Sequence, residues 1–186
     1  MSASRIMTRS GRIFDHLEPR AEDVTIGDIA HALSMLCRFC GHVDRFYSVA
    51  QHSVLVSRHC APPDALAGLL HDAAEAYVTD VPGPLKRTEQ LWGYRTVEYL
   101  VQRVIAERFG LPASAPASVR AADEAVLVAE ARDLMPPGAL SRLGFLPRTC
   151  WRTLHDTSRI DVIVPLSPQE ARVEFLRRYH ELAVRL

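Results

Sequence analysis

Lysine is almost missing from this chain: Lys86 stands alone, and every other basic side chain is an arginine. Net charge is missing too, because 22 Lys and Arg residues balance 22 Asp and Glu residues. That balance argues against a main role in holding a nucleic-acid polymer or an anionic membrane. No apolar run is long enough to span a bilayer. Met1 to Met7 lacks the continuous apolar stretch of a secretory signal. The expectation is a soluble, cytoplasmic protein. Cysteine is sparse. Cys37 and Cys40 form a lone C-x-x-C pair without a second pair at zinc-ribbon spacing, so they are expected to be ordinary reduced thiols, like Cys60 and Cys150. A Walker-type phosphate loop is absent, which excludes ATP-driven chemistry of that kind.

What is present is a helical pattern. Apolar residues make up 48% of the 186 residues, enough for one sizeable core. Thr25-x-x-Asp28 predicts a helix start, followed by Ile29, Leu33 and Leu36 on one face. A second helix is expected from Tyr47-Ser48 to about Cys60. Asp64, after Pro62-Pro63, is placed to cap a third that carries His71. Val81-Pro82-Gly83-Pro84 must leave helical geometry. A long helix over about 88–109 follows, then one over about 118–135, ended by Pro136-Pro137. Ile160 to Val164 predicts a short strand. Ser167, Pro168 and Glu170 mark the start of the last helix. The sum is an all-α, single-domain bundle of about six or more helices over 1–186, with a motif core at about 25–135 and a C-terminal segment 138–186. Arg148 and Trp151 are left for a lid or an interface.

The polar groups inside this pattern carry the chemistry. His52 lies on the inward face of its helix with Val49 and Val56. His71-Asp72 sits on the next helix, where Glu75 is one turn away. Asp123 lies at the margin of a buried stripe with Leu127, Glu130 and Leu134. Charged groups beside a core are costly unless something neutralises them, and mixed His and Asp donors suit a metal ion.

The ordered set His52, His71-Asp72 and Asp123 resembles the H…HD…D signature of the HD superfamily of metal-dependent phosphohydrolases. Arg38-Phe39-Cys-Gly-His42, Tyr47-Ser-Val-Ala-Gln-His52, Leu70-His-Asp-Ala-Ala-Glu75 and Asp80-Val-Pro-Gly-Pro-Leu-Lys86 are similar to its small single-domain branch. That branch holds 5′-deoxynucleotidases and phage-type dATP triphosphohydrolases. The resemblance implies one divalent ion (Mn, Co, Fe, Zn or Mg) on His52, His71, Asp72 and Asp123. It implies Glu75 as acid/base, Asp80 as a supporting carboxylate, and Arg38 and Lys86 as phosphate contacts. Phe39, His42 and Tyr47 become candidates for base or sugar contact. The implied activity is cleavage of the 5′-phosphoester of a nucleotide, leaning to a dATP or dNTP triphosphohydrolase, with a 5′-deoxynucleotidase acting on monophosphates as the alternative. A non-catalytic, metal-stabilised nucleotide sensor is the alternative of another class. A second ligand set and a Gly-Tyr-Pro block after the His-Asp pair are absent, which argues for one ion and against cyclic dinucleotide hydrolysis. Exposed apolar helix faces and the resemblance together imply a homo-oligomer.

Overall fold

Three side chains start three of the helices. Thr25 accepts from the Asp28 backbone N–H, Ser48 from Gln51, and Ser167 from Glu170, each satisfying a donor that a helix start leaves free. The Glu170 carboxylate returns the bond to the Ser167 backbone, which completes the box. The computed structural model describes residues 4–139 and 160–184. Among them are eight α-helices: α1 (Ile26–Met35), α2 (Val49–His59), α3 (Ala65–Leu69), α4 (Glu75–Val78), α5 (Gly83–Lys86), α6 (Trp92–Phe109), α7 (Ala117–Leu134) and α8 (Pro168–Ala183). The all-α expectation holds for this body. One small hairpin was not foreseen: β1 (Arg5–Met7) pairs antiparallel with β2 (Ile13–Asp15), Ile6 opposite Phe14. Phe14 is buried and stacks on Tyr77 at 4.0 Å, so the hairpin backs the end of α4.

Helix α2 is the hub. It packs against α1, α3, α7 and α8. Val49, Ala50, His52, Ser53, Val54 and Val56 are all buried, the mark of a helix with neighbours on most sides. Its contact with α3 is close because residue 68 is glycine. A Cβ there would lie 2.8 Å from Cys60 Sγ and 3.2 Å from Ser57 Cα. On α6, Val101, Val104, Ile105 and Ala106 face the core, and Gly110 ends the helix in the left-handed conformation at φ 65°.

Three local expectations are corrected. The helix expected to run through His71 is broken: α3 stops at Leu69 and residues 70–74 form turns. A side chain from α6 occupies the break. In a continuous helix the Leu70 carbonyl would accept from the Ala74 N–H. Here the Gln102 side-chain amide stands between them, donating to Leu70 O at 2.9 Å and accepting from Ala74 N at 3.1 Å. Asp64 does not cap α3 with its side chain; its carboxylate takes the Ser118 hydroxyl from α7 instead. The segment 160–164 is not a strand: among the described residues no strand lies beside it. Side chains hold it and the residues that follow. Asp133 accepts from Ile163 N, while the Gln51 amide donates to Val164 O and accepts from Leu166 N, both at 2.8 Å. Arg148 and Trp151 lie outside the described residues. No described helix is long and apolar enough to cross a membrane.

Candidate metal centre and its cleft

The break at residues 70–74 makes the site possible. Successive residues of a regular helix point about 100° apart. Released from that geometry, His71 and Asp72 turn toward one point. His71 Nε2 lies 3.2 Å from Asp72 Oδ2 and 3.4 Å from His52 Nε2. His52 Nε2 is 3.2 Å from Asp123 Oδ1, and His71 Nε2 is 3.9 Å from the same oxygen. His52, His71 and Asp72 each offer an atom within 4.8 Å of the others, a group able to hold a metal ion. Asp123 comes from α7 at the open side and is the most exposed of the four.

Each imidazole is oriented from behind. His71 Nδ1 donates to the Gly68 carbonyl at 2.8 Å. His52 Nδ1 donates to Glu130 Oε1 at 2.6 Å. Both bonds hold the ring proton on Nδ1 and leave Nε2 as the donor atom, the arrangement metal-binding histidines use. Glu130 is wholly buried on α7, and its other oxygen receives Arg38 at 3.1 Å. Arg38 also reaches Asp72 at 3.7 Å. Burial would raise the Glu130 pKa, but Arg38 and His52 outweigh it and the net direction is down. Burial likewise disfavours the His71 imidazolium, yet the Asp72 carboxylate carries its pKa up to about 9. Two imidazole nitrogens and the Asp72 carboxylate facing one point, with the Asp123 carboxylate beside the imidazoles, therefore call for positive charge. The donor set fits a divalent cation, with hard oxygens and borderline nitrogens.

Beside this group lies a cleft of about 320 Å³, near the lower end of small-molecule sites. Arg38, Asp72 and Asp123 line it, together with Glu75, Asp80, Lys86 and Arg87. Phe39, Val81, Pro82, Pro84 and Leu127 form its apolar wall. Glu75 is buried; burial and the neighbouring Asp72 and Asp80 charges push its pKa up to about 9. Its Oε1 receives Lys86 Nζ at 2.9 Å, while its Oε2 is buried without a hydrogen-bond partner. Asp80 also shifts upward, chiefly through burial.

No family model matches the chain. It is 38% identical over 182 residues to the uncharacterised protein YfdR of Escherichia coli K12, covering 97% of this chain and 96% of that protein. A second relative, an uncharacterised protein of Rhodobacter capsulatus, is 38% identical over 132 residues, or 66% of this chain and 67% of that one. The chain belongs to the YfdR family.

In this YfdR-family chain the residues expected to act together fall into three groups. His52, His71, Asp72 and Asp123 converge. Glu75, Asp80, Arg38, Lys86 and Phe39 share the adjoining cleft. His42 and Tyr47 do not line it. His42 is exposed, and Tyr47 is wholly buried beside Glu130 and Arg38, where burial raises its pKa. Four contributors were not singled out from the sequence: Glu130, Gln102, Glu98 and Arg87. Glu130 had one signal, its place on the same stripe as Asp123. Gln102 had none, since its partners Leu70 and Ala74 lie far away in sequence, and Glu98 had none, since its lysine partner lies on a different helix, α5.

Proposed function

We propose that this chain is a metal-dependent phosphohydrolase that cleaves the 5′-phosphoester of nucleotides, with deoxynucleoside triphosphates as the leading substrates. One observation carries the reading. The metal-capable group and a raised, half-committed carboxyl, Glu75, open onto the same cleft, and that cleft also holds cationic side chains.

His52, His71, Asp72 and Asp123 are the residues that would hold the ion. A divalent cation bound there supplies Lewis acidity toward water and a phosphoryl oxygen. The protein's own groups do the rest. Arg87 and the third N–H of Lys86 offer positive charge for phosphate oxygens. Arg38 adds charge from the floor, although its guanidinium is already shared with Glu130 and Asp72. Glu75, neutral at pH 7 by its raised pKa, holds a proton for the departing 5′-oxygen of the sugar. Water adds to phosphorus as the P–O5′ bond breaks; the nucleoside leaves with the Glu75 proton, and the proton that the water gives up returns to the Glu75 carboxylate. Asp80 lies within the same cleft as a second carboxyl. The wall of Phe39, Pro82, Pro84 and Leu127 suits the flat face of a base. Self-association is part of the proposal: Trp92 and Tyr99 are 69% and 61% exposed, seven residues apart on one side of α6.

The test is turnover. Purified protein with Mn²⁺ or Co²⁺ is incubated with deoxy- and ribonucleoside mono-, di- and triphosphates, and phosphate, pyrophosphate and triphosphate are separated by chromatography. Triphosphate plus nucleoside assigns a triphosphohydrolase. Phosphate from monophosphates alone assigns a 5′-nucleotidase. Metal binding without turnover of any nucleotide overturns the enzymatic reading and leaves the sensor.

A further inference from the structure

Lys86 does not point freely into the cleft. Its ammonium is shared between two acidic side chains: Glu75 Oε1 at 2.9 Å and Glu98 Oε1 at 2.6 Å. The shorter bond is to Glu98, which does not line the cleft and stands behind the lysine on α6. Glu98 is itself placed. The Tyr94 hydroxyl, fixed on the Thr79 carbonyl at 2.8 Å, lies 3.4 Å from the same Glu98 oxygen. The Tyr94 ring passes 5.9 Å from the ammonium. A separate device ties down the α5 backbone: Arg95 donates to the Lys86 and Thr88 carbonyls at 2.6 and 3.0 Å. The backbone staple therefore does not need Glu98. What Glu98 adds is a direction for the ammonium.

We infer that Glu98 is a positioning residue of the cleft, holding the Lys86 ammonium against Glu75 Oε1 so that Glu75 Oε2 remains the uncommitted oxygen. The inference rests on the functional reading above for its catalytic meaning. A lysine side chain has a flexible four-carbon stem and one compact charge. With a single carboxylate partner it swings. With two, on opposite sides, it is confined. Confinement of Lys86 fixes one Glu75 oxygen, and thereby the rotamer that presents the other. Removing Glu98 leaves every atom of the reaction in place but loosens the group that gives the proton. Small misplacement of such a group lowers turnover more than it lowers substrate binding.

The single lysine makes this testable without turnover. Lys86 and the α-amino group are the only amines in the chain. Acetic anhydride modifies only neutral amines, so mass spectrometry of the Lys86 peptide reports how firmly the ammonium is held. In the native wild type Lys86 is acetylated far more slowly than the α-amino group. Glu98→Gln is expected to raise the Lys86 rate about tenfold, the effect of one pKa unit. The same variant is expected to lower kcat about tenfold to a hundredfold with KM nearly unchanged. Glu98→Asp keeps both close to wild type. Arg95→Ala lowers the melting temperature without producing that split. Unchanged acetylation in a folded Glu98→Gln protein overturns the inference, as does faster acetylation with normal kcat. If the wild type turns over no nucleotide, the functional reading fails; faster acetylation in Glu98→Gln then still upholds Glu98 as the anchor of Lys86.

Discussion

Glu130 Oε1 lies 2.6 Å from His52 Nδ1, and the opposite oxygen of the same carboxylate receives Arg38. One buried side chain thus orients an imidazole and holds the arginine that reaches Asp72. Glu130→Gln keeps the shape but removes the charge that pulls the His52 proton to Nδ1. Metal affinity is expected to fall about 10–100-fold, the usual cost of losing such a support. Calorimetric titration with Mn²⁺ or Zn²⁺ checks it; an unchanged affinity would show that His52 needs no orientation from behind.

Metal uptake should expel protons. His71 has a pKa of about 9 in the metal-free protein, so it carries a proton at pH 7 that a cation must displace. Affinity is expected to rise from pH 6 to pH 8. Heats of binding should differ between buffers of different ionisation enthalpy by the heat of the released protons. The apoprotein behaves oppositely. A raised histidine pKa stabilises the fold fully below the unfolded value of 6.5, and that contribution is lost as pH climbs through about 9.

Gln102 is predicted to matter twice. Gln102→Ala removes the amide between Leu70 O and Ala74 N. Leaving Ala74 N unpartnered, with Leu70 O keeping only its bond from Ala73 N, costs about 1–3 kcal/mol unless the helix closes and makes their mutual bond. Closure would turn Asp72 away from His71. Either way, metal affinity is expected to drop at least about tenfold. Urea unfolding of the metal-free protein separates the two cases, since only the first lowers stability.

Asp28 should govern stability on the acid side. It is buried at the start of α1 and accepts from Ser10 N, Ser10 Oγ and Thr25 Oγ1 at 2.7–2.8 Å. Burial alone would raise its pKa, but the bonds from Ser10 and Thr25 outweigh it and the net direction is down. A lowered carboxyl pKa stabilises the fold above the unfolded value of 3.8 and ceases to do so as pH falls below it. Asp28→Asn is expected to cost about 1–3 kcal/mol at pH 7. Its thermal melts between pH 7 and 3 should also be flatter than those of the wild type.

The close α2–α3 contact gives a packing prediction. Gly68→Ala places a methyl against Cys60 Sγ and the Ser57 backbone. Overpacking of this kind costs about 1–3 kcal/mol. Because the Gly68 carbonyl also holds His71, metal affinity is expected to fall in the same variant, measured alongside chemical unfolding.

Helix starts were the most legible part of the sequence. Thr25, Ser48 and Ser167 act through neighbours three residues away, so the signal and its partner share one window. The break at residues 70–74 was invisible for the opposite reason. Leu66, Leu69, Leu70, Ala73 and Tyr77 keep helical spacing straight through it, and the residue that opens it lies on another helix. Ile160 to Val164 misled because β-branched residues form a ladder only beside another strand, and none lies there among the described residues. The group His52, His71 and Asp72, able to hold a metal ion, was found through chemistry and order rather than periodicity. Glu130 was hidden as one acidic residue on a stripe, and its burial became visible only once α2 and α7 were side by side.

The Gln102 insertion has a consequence for folding order. The 70–74 turn supplies only part of its own bonding: Leu70 O accepts from Ala73 N at 3.2 Å, while Ala74 N is met by Gln102 of α6, which also donates to Leu70 O. The turn that brings His71 and Asp72 together therefore draws on α6 as well as on its own stretch of chain. Isolated peptides spanning His71 should be poor ligands, and a nascent chain lacking α6 should not retain metal. The centre is expected to be a product of the whole bundle rather than a seed for it.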